Sequence, residues 1–388
     1  MHYPGKYTVE EETIFVIKKN SLTLLTLLVE LVYRILDHLD IPIILLSAYG
    51  VCTRLNTIID TYPRYKVCTK LTLRYKNIVD ENLKYLANSL KMNTSFKELD
   101  FANNKIGDNG VKYLTDALQA DMILEILNLY GNKISDEGVK YMADILKTNT
   151  TLTELNLTDN KIGDEGAQYL ADALKVNTTL KTLRLNASKI GVQGAQCLAN
   201  TLEINTTLKV LSLNENEMGA QGAQYIAKAL KTNTTLTELH LGWAKIGQQG
   251  AQYFADTLNI NTTLIELDLG GNAITDRGAL FLGNALQINT TLKILAVDMN
   301  KLSARAKRYL DQLSKSTPRK IFFHDHDDHS FIDKSTSSMW NNGHYSLSGA
   351  STSSMWNDHH RSFSNALTSS MWNEDWNHAT DDSTECWL

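Results

Sequence analysis

The sequence is poor in cysteine: Cys52, Cys68, Cys197 and Cys386 are the only four in 388 positions. None stands at the short spacing of a metal-binding quartet, and four are too few for the disulfide framework of a small secreted domain. A reducing compartment is the expectation. An excess of one charge is also missing, because 38 Lys and Arg face 43 Asp and Glu for a net −5. That balance excludes the strongly basic surface that nucleic acid or an anionic membrane would require, and it points to proteins as partners. The apolar run "LTLLTLLV" is followed at once by Glu30 and Arg34, then Asp37 and Asp40, with no small-residue cleavage pattern, so neither a secretory leader nor a membrane span is expected. Phosphate-cradling glycine loops and nucleophile–base pairs are lacking too. The chain reads as non-enzymatic, with no catalytic residues, no cofactor and no metal site.

What is present is repetition. "TLTELNLTDNKIGDEGAQYLADALKVN" fills 151–177, and nearly the same words return at Thr179, Thr207 and Thr235. Stepping by 28 residues from Leu152 reaches Cys68, Phe96, Leu124, Leu180, Leu208, Leu236, Leu264 and Leu292, which defines nine units, the last incomplete. Within a unit Leu152, Leu155 and Leu157 alternate as a short strand does, and Asn160 and Ile162 close it. The period then changes. Ala167, Leu170, Ala171 and Leu174 fall on one side of a helix, with Glu165, Gln168, Asp172 and Lys175 on the other.

Column residues mark the boundaries. Gly107, Ser135, Gly163, Gly191, Gly219, Gly247, Thr275 and Ser303 suit a helix N-cap, and Asp108, Asp136, Asp164 and Asp276 suit its positive end. Asn93, Asn149, Asn177, Asn205, Asn233, Asn261 and Asn289 stand at the helix exit, where a left-handed asparagine would stop the helix. These seven also spell N-x-Ser/Thr, the glycosylation pattern, but the repeat itself asks for asparagine there. The glycines from Gly110 to Gly278 sit in the first helical turn, which points to close approach of helix to strand. One unit has nothing inside itself to pack against, so stability must come from stacking.

"LxxLxLxxNxI" followed by a helix, at 28 residues, resembles the leucine-rich repeat of the ribonuclease-inhibitor type, which also occurs in NOD-like receptors and in Ran GTPase-activating protein. The resemblance runs from Cys68 to about Ser314. It implies an α/β solenoid, a horseshoe with parallel strands on the concave wall and helices on the convex one. Ser188 and Ala244 replace the asparagine of the turn, so two turns are expected to be irregular. Residues flanking the inward leucines would face the concave side. Those are Glu98, Asp100, Glu154, Asp159, Glu215, Glu238, Glu266 and Asp268, interrupted by Tyr130, Arg184, His240 and Trp243. The wall is mostly acidic. Trp243 is the leading contact candidate because Trp, Tyr and Arg dominate interface energetics; filling space left by Gly242 and Ala244 is the alternative. His240, with no nucleophile beside it, reads as a strand-surface residue.

The stretch 21–66 does not share the period. Leu27, Leu31, Ile35 and Leu39 have helical spacing, Pro42 can open a second helix, and Val51, Leu55, Ile58 and Ile59 suggest a third. "LLVELVYRILDHLD" with "LLSAYGVCTRLNTIID" resembles an F-box, carried by Leu27, Glu30, Ile35, Leu36, Leu39, Val51 and Leu55, with Leu28 where that family has proline. The resemblance implies contact with a Skp-type adaptor through these residues, Leu28 and Leu31 included, and through it a cullin ubiquitin ligase. An amphipathic cap over the first repeat is the alternative.

Polar residues take over beyond Pro318. A disordered tail is expected over 318–388, as is a disordered leader over 1–20. "TSSMWN" recurs at Thr336, Thr352 and Thr368, either as a drifting duplication or as a multivalent motif. "HDHDDH" at 324–329 would hold a metal weakly at best. The domain order is thus 1–20, a small all-α unit 21–66, the solenoid 67–317 and the tail 318–388. The function expected is a substrate receptor of a cullin-type ubiquitin ligase in the cytoplasm, with the nucleus open to it as well. GTPase activation, or sensing and inhibition as in NOD-like receptors, is the alternative.

Overall fold

The computed structural model describes residues 67–92, 95–119, 123–323 and 385–386. The chain divides into two compact units, Met1–Asp328 with Thr384–Leu388, and His329–Ser383; every described residue belongs to the first. The stretch 1–20, the segment 21–66 expected to be helical with its adaptor-binding candidates, the "HDHDDH" tract and the "TSSMWN" copies lie outside the described residues.

Ten short strands run parallel in chain order. They are β1 Lys70–Thr72, β2 Glu98–Asp100, β3 Ile126–Asn128, β4 Glu154–Asn156, β5 Thr182–Arg184, β6 Val210–Ser212, β7 Glu238–His240, β8 Glu266–Asp268, β9 Ile294–Ala296 and β10 Lys320–Phe322. Between them lie α1 Asp80–Met92, α2 Asp108–Leu118, α3 Asp136–Leu146, α4 Asp164–Leu174, α5 Val192–Leu202, α6 Gly219–Leu230, α7 Gly247–Leu258, α8 Asp276–Ile288 and α9 Ala304–Ser316. Each strand pairs with the next, as Leu155 does with Leu183, so one repeat period is one step sideways in the sheet. The result is the expected open α/β solenoid. The inward leucines are fully buried, Leu155, Leu183, Leu211 and Leu239 among them, and Ala167, Leu170, Ala171 and Leu174 close over them from the helix side. Burial of each leucine contributes roughly 1.5–3 kcal/mol, so the strands hold through shared core rather than through their three-residue length.

The sheet outlasts the solenoid boundary expected at 317. Lys320–Phe322 adds a tenth strand on β9, and Glu385–Cys386, a two-residue β11, pairs with β1. The stretch 318–388 therefore contributes two strands and is not uniformly tail. Ile321 and Phe323 are buried, which is the apolar signal that a polar-rich composition masked.

Several boundary residues work differently from expectation. Among the described helices only Ser303 caps with its own side chain, accepting from Ala306 N. At Gly107, Ser135, Gly163 and Gly191 a carboxylate from the previous repeat accepts the backbone N–H, and at Thr275 the amide oxygen of Gln248 accepts the side-chain hydroxyl instead. Asp80 accepts from Gly107 N at 2.6 Å, Asp108 from Ser135 N at 2.7 Å and Asp164 from Gly191 N at 2.6 Å. This explains the first-turn glycines Gly110, Gly138, Gly166 and Gly194, whereas a Cβ on Gly222, Gly250 or Gly278 would meet Met218, Ile246 or Ile274 instead. A Cβ on Gly138 would meet Asp108 Oδ1 at 2.5 Å and Ile134 Cγ2 at 2.8 Å. Where the aspartate column reads Val192 and Ala220, Gly219 and Gly247 turn left-handed (φ +59° and +65°) and donate to Ala244 O and Asn272 O instead. Gly219 and Gly247 then begin α6 and α7 rather than cap them, behind Met218 and Ile246.

The described exit asparagines, Asn149 to Asn289, are not left-handed either; Asn289 has φ −67° and ψ 130°. Their amides bridge repeats. Asn177 Nδ2 donates to Leu146 O at 2.7 Å, and its Oδ1 accepts from Thr179 N and Leu180 N. An open helix end is thereby satisfied by the next unit. The left-handed column lies instead at the strand exits, Tyr75, Asn103, Gly131, Asp159, Ala187, Glu215, Trp243, Gly271 and Met299. Asn160 closes such a turn, donating to Leu129 O and Leu157 O while its Oδ1 accepts from Ile134 N. Of the two turns lacking asparagine, the one at Ala244 is irregular, with Lys245 at φ +60°, and Lys189 after Ser188 is not left-handed.

Candidate functional site on the concave wall

Alternation along each strand sends the leucine to the core and its neighbours outward, so residues one period apart form columns on the concave wall. The first half of that wall is internally neutralised. Glu98 pairs with Lys70 at 3.3 Å, and Glu154 with Arg184. Asp100 is not a free position at all. It is buried, held by Arg74 Nε at 2.5 Å, and accepts from Ala102 N and Asn128 Nδ2.

The second half differs. Glu238 and His240 on β7 stand beside Glu266 and Asp268 on β8, and His240 Nε2 lies 3.2 Å from Glu266 Oε1. Asp268 accepts from Gly270 N at 2.8 Å. Gly242 leaves it room, since a Cβ there would meet Asp268 Oδ2 at 3.2 Å. Burial pushes the Asp268 carboxyl up against that hydrogen bond and the nearby imidazole. Burial, then Glu266, pushes Glu238 up; burial, then Asp159, does the same to Glu215. Burial works to lower His240, but its contacts with Glu266, Asp268 and Glu238 outweigh it and the imidazole is raised. Among the described residues neither Glu215 nor Glu238 makes an ion pair.

Aromatic residues rim these acids. Trp243 is 44 % exposed and left-handed at φ +57°. Its ring lies over Gly271 of the next repeat, where a Cβ would come within 2.4 Å of ring carbons. The room for the indole thus comes from Gly271, not from Gly242 or Ala244. Tyr130 is half-buried, its hydroxyl pushed up by burial and then by Asp159, Tyr75 and Glu215. Tyr75, 66 % exposed, joins this edge and was not among the sequence candidates; its place in the left-handed column with Trp243 was the signal that could have found it.

The grouping of Glu238, His240, Glu266 and Asp268 depends on the repeat period and on nothing local. Cys68 is disulfide-bonded. No helix among the described residues is long and apolar enough to cross a membrane.

No curated protein matches the chain in sequence. Among solved structures it is similar to "Leiomodin-1 Actin-Binding Site 2 (ABS2)", at 25% identity and a TM-score of 0.35 over 45% of this chain and 93% of that one. It is also similar to a tropomodulin C-terminal domain of Caenorhabditis elegans, at 16% identity and a TM-score of 0.33 over 39% and 92%. Residues 93–114, 122–143, 148–171, 176–199, 205–227, 232–255 and 261–283 each match the family described as Leucine Rich repeat, so seven of the units in this solenoid carry that repeat.

Proposed function

We propose that this chain is a non-enzymatic protein-recognition scaffold whose concave wall takes a cationic segment of a partner protein. The observation that carries this reading is the second half of the wall, where Glu215 and Glu238 make no ion pair and Trp243 is exposed. Carboxylates that burial has made harder to ionise gain most from an arriving cation. An exposed indole adds cation–π attraction for Lys or Arg, worth about 0.5–1 kcal/mol or more once desolvated. The half-wall already closed by Lys70, Arg74 and Arg184 offers less.

The finer part of the proposal is that 21–66 binds a Skp-type adaptor, making the chain a substrate receptor of a cullin-type ubiquitin ligase. The F-box-like order of Leu27, Leu28, Glu30, Leu31, Ile35, Leu36, Leu39, Val51 and Leu55 supports it. Affinity capture with the full chain tests both parts. Trp243→Ala and Glu215→Lys should release a basic partner and keep the adaptor; Leu31→Asp and Leu39→Asp should do the reverse. Capture of neither class by the unaltered chain would overturn both readings.

A further inference from the structure

We propose that Glu238, His240 and Glu266 form a binding site for one divalent first-row transition-metal ion, of which Zn²⁺ is the natural probe. The three residues offer one ligand atom each, and these atoms all lie within 4.8 Å of one another. Two carboxylates and one imidazole are a borderline set, and the imidazole favours zinc, iron or nickel over calcium or magnesium. Three protein ligands with open positions suit an ion that keeps solvent.

The proton arrangement around His240 carries the argument further. Ser212 Oγ donates its one proton to Asn186 Oδ1 at 2.6 Å, and Asn186 is held in that orientation by the backbone N–H of Asn214, which donates to the same oxygen at 2.9 Å. Ser212 can therefore only accept from His240 Nδ1, 3.5 Å away, so Nδ1 carries the ring proton. Nε2 then faces a carboxylate. It is sealed from solvent and lies 3.2 Å from Glu266 Oε1 without the alignment of a hydrogen bond. A positive centre is needed between that nitrogen and Glu266: a second ring proton would serve Glu266 alone, whereas a metal ion would draw in Glu238 as well. The Nδ1–H to Ser212 contact is the outer-shell bond that fixes ring orientation in histidine metal sites. Two glutamates neutralise the ion, and Asp268 adds negative potential behind them.

The test uses the full chain with His324, His326 and His329 changed to Ala, which removes the competing "HDHDDH" tract. Zn²⁺ titration followed by calorimetry should give one equivalent bound, and Co²⁺ in its place should give a visible ligand-field band. Glu266→Gln and His240→Gln should each weaken binding at least about tenfold. Glu238→Gln is the isosteric change at a half-exposed position; it keeps the test valid if a deeper variant fails to fold. Glu165→Gln, on the helix side, should change nothing. Absence of uptake, or uptake equal in all variants, would overturn the proposal, and weaker capture of a basic partner by Glu266→Gln without metal uptake assigns the pocket to a partner's Lys or Arg. The titration needs no partner protein, so its failure leaves the recognition reading standing.

Discussion

Asp136, in the first turn of one helix, accepts the backbone N–H of Gly163 at 2.6 Å and of Gly166 at 2.9 Å, both in the following repeat. A residue whose sequence position marks it as favourable to its own helix is used as the cap of its neighbour. Stacking is thereby hydrogen-bonded as well as apolar.

Asp136→Ala should destabilise the chain by about 1–2 kcal/mol, the usual loss for a removed cap. Gly166→Ala should cost more, because its Cβ would meet Asp136 Oδ1 at 2.5 Å and Ile162 Cγ2 at 2.7 Å. Urea denaturation of the two variants checks the order; a neutral Asp136→Ala would show the bond to be dispensable.

Gly219→Ala should also destabilise, by roughly 1–2 kcal/mol, through backbone strain alone. At φ +59° its only near neighbour is Lys245 O at 4.0 Å, so no clash contributes. Gly191, whose N–H is taken by Asp164, is outside the left-handed region, and strain of this kind should be absent from Gly191→Ala. Comparison of the two melting curves separates conformation from packing.

Arg319 closes the other end of the solenoid. Its guanidinium donates to Leu286 O at 2.8 Å, to Leu292 O at 2.9 Å and to Asn289 O, replacing the exit asparagine that the last repeat lacks. Arg319→Ala should leave those carbonyls without this donor and speed amide exchange across Ile294–Ala296 and Lys320–Phe322, with β5 unaffected.

Asp276 gives a pH signature. Hydrogen bonds from the Ser303 side chain and backbone N–H hold its carboxyl below the ordinary aspartate value. A depressed folded value means the stabilisation is complete above the unfolded value and is lost as pH falls through the folded one. Amide exchange at the start of α9 should therefore accelerate as acidification passes below the ordinary aspartate range, and Asp276→Asn should flatten that profile.

The strand leucines and the helix stripe of Ala167, Leu170, Ala171 and Leu174 were legible because burial of apolar faces leaves a period in the chain. Misreadings came from residues that bond across repeats. Asp136, Asn177 and Gly138 look like a charge at its own helix end, a helix stop and a close approach of helix to strand, yet each acts on a neighbour 27 to 31 residues away. Lys320–Phe322 was missed because one strand of a stack needs only its edge and two buried side chains, too short a signal for composition.

On the wall, sequence supplied the residue types and their spacing of 28. It could not distinguish Asp100, locked under Arg74, from Glu238 and Glu266, which meet at His240. That distinction depends on distances between side chains of different repeats. Local chemistry therefore determined the unit and its repetition, whereas only lateral stacking decided which acids are neutralised, which converge, and over which glycine Trp243 lies.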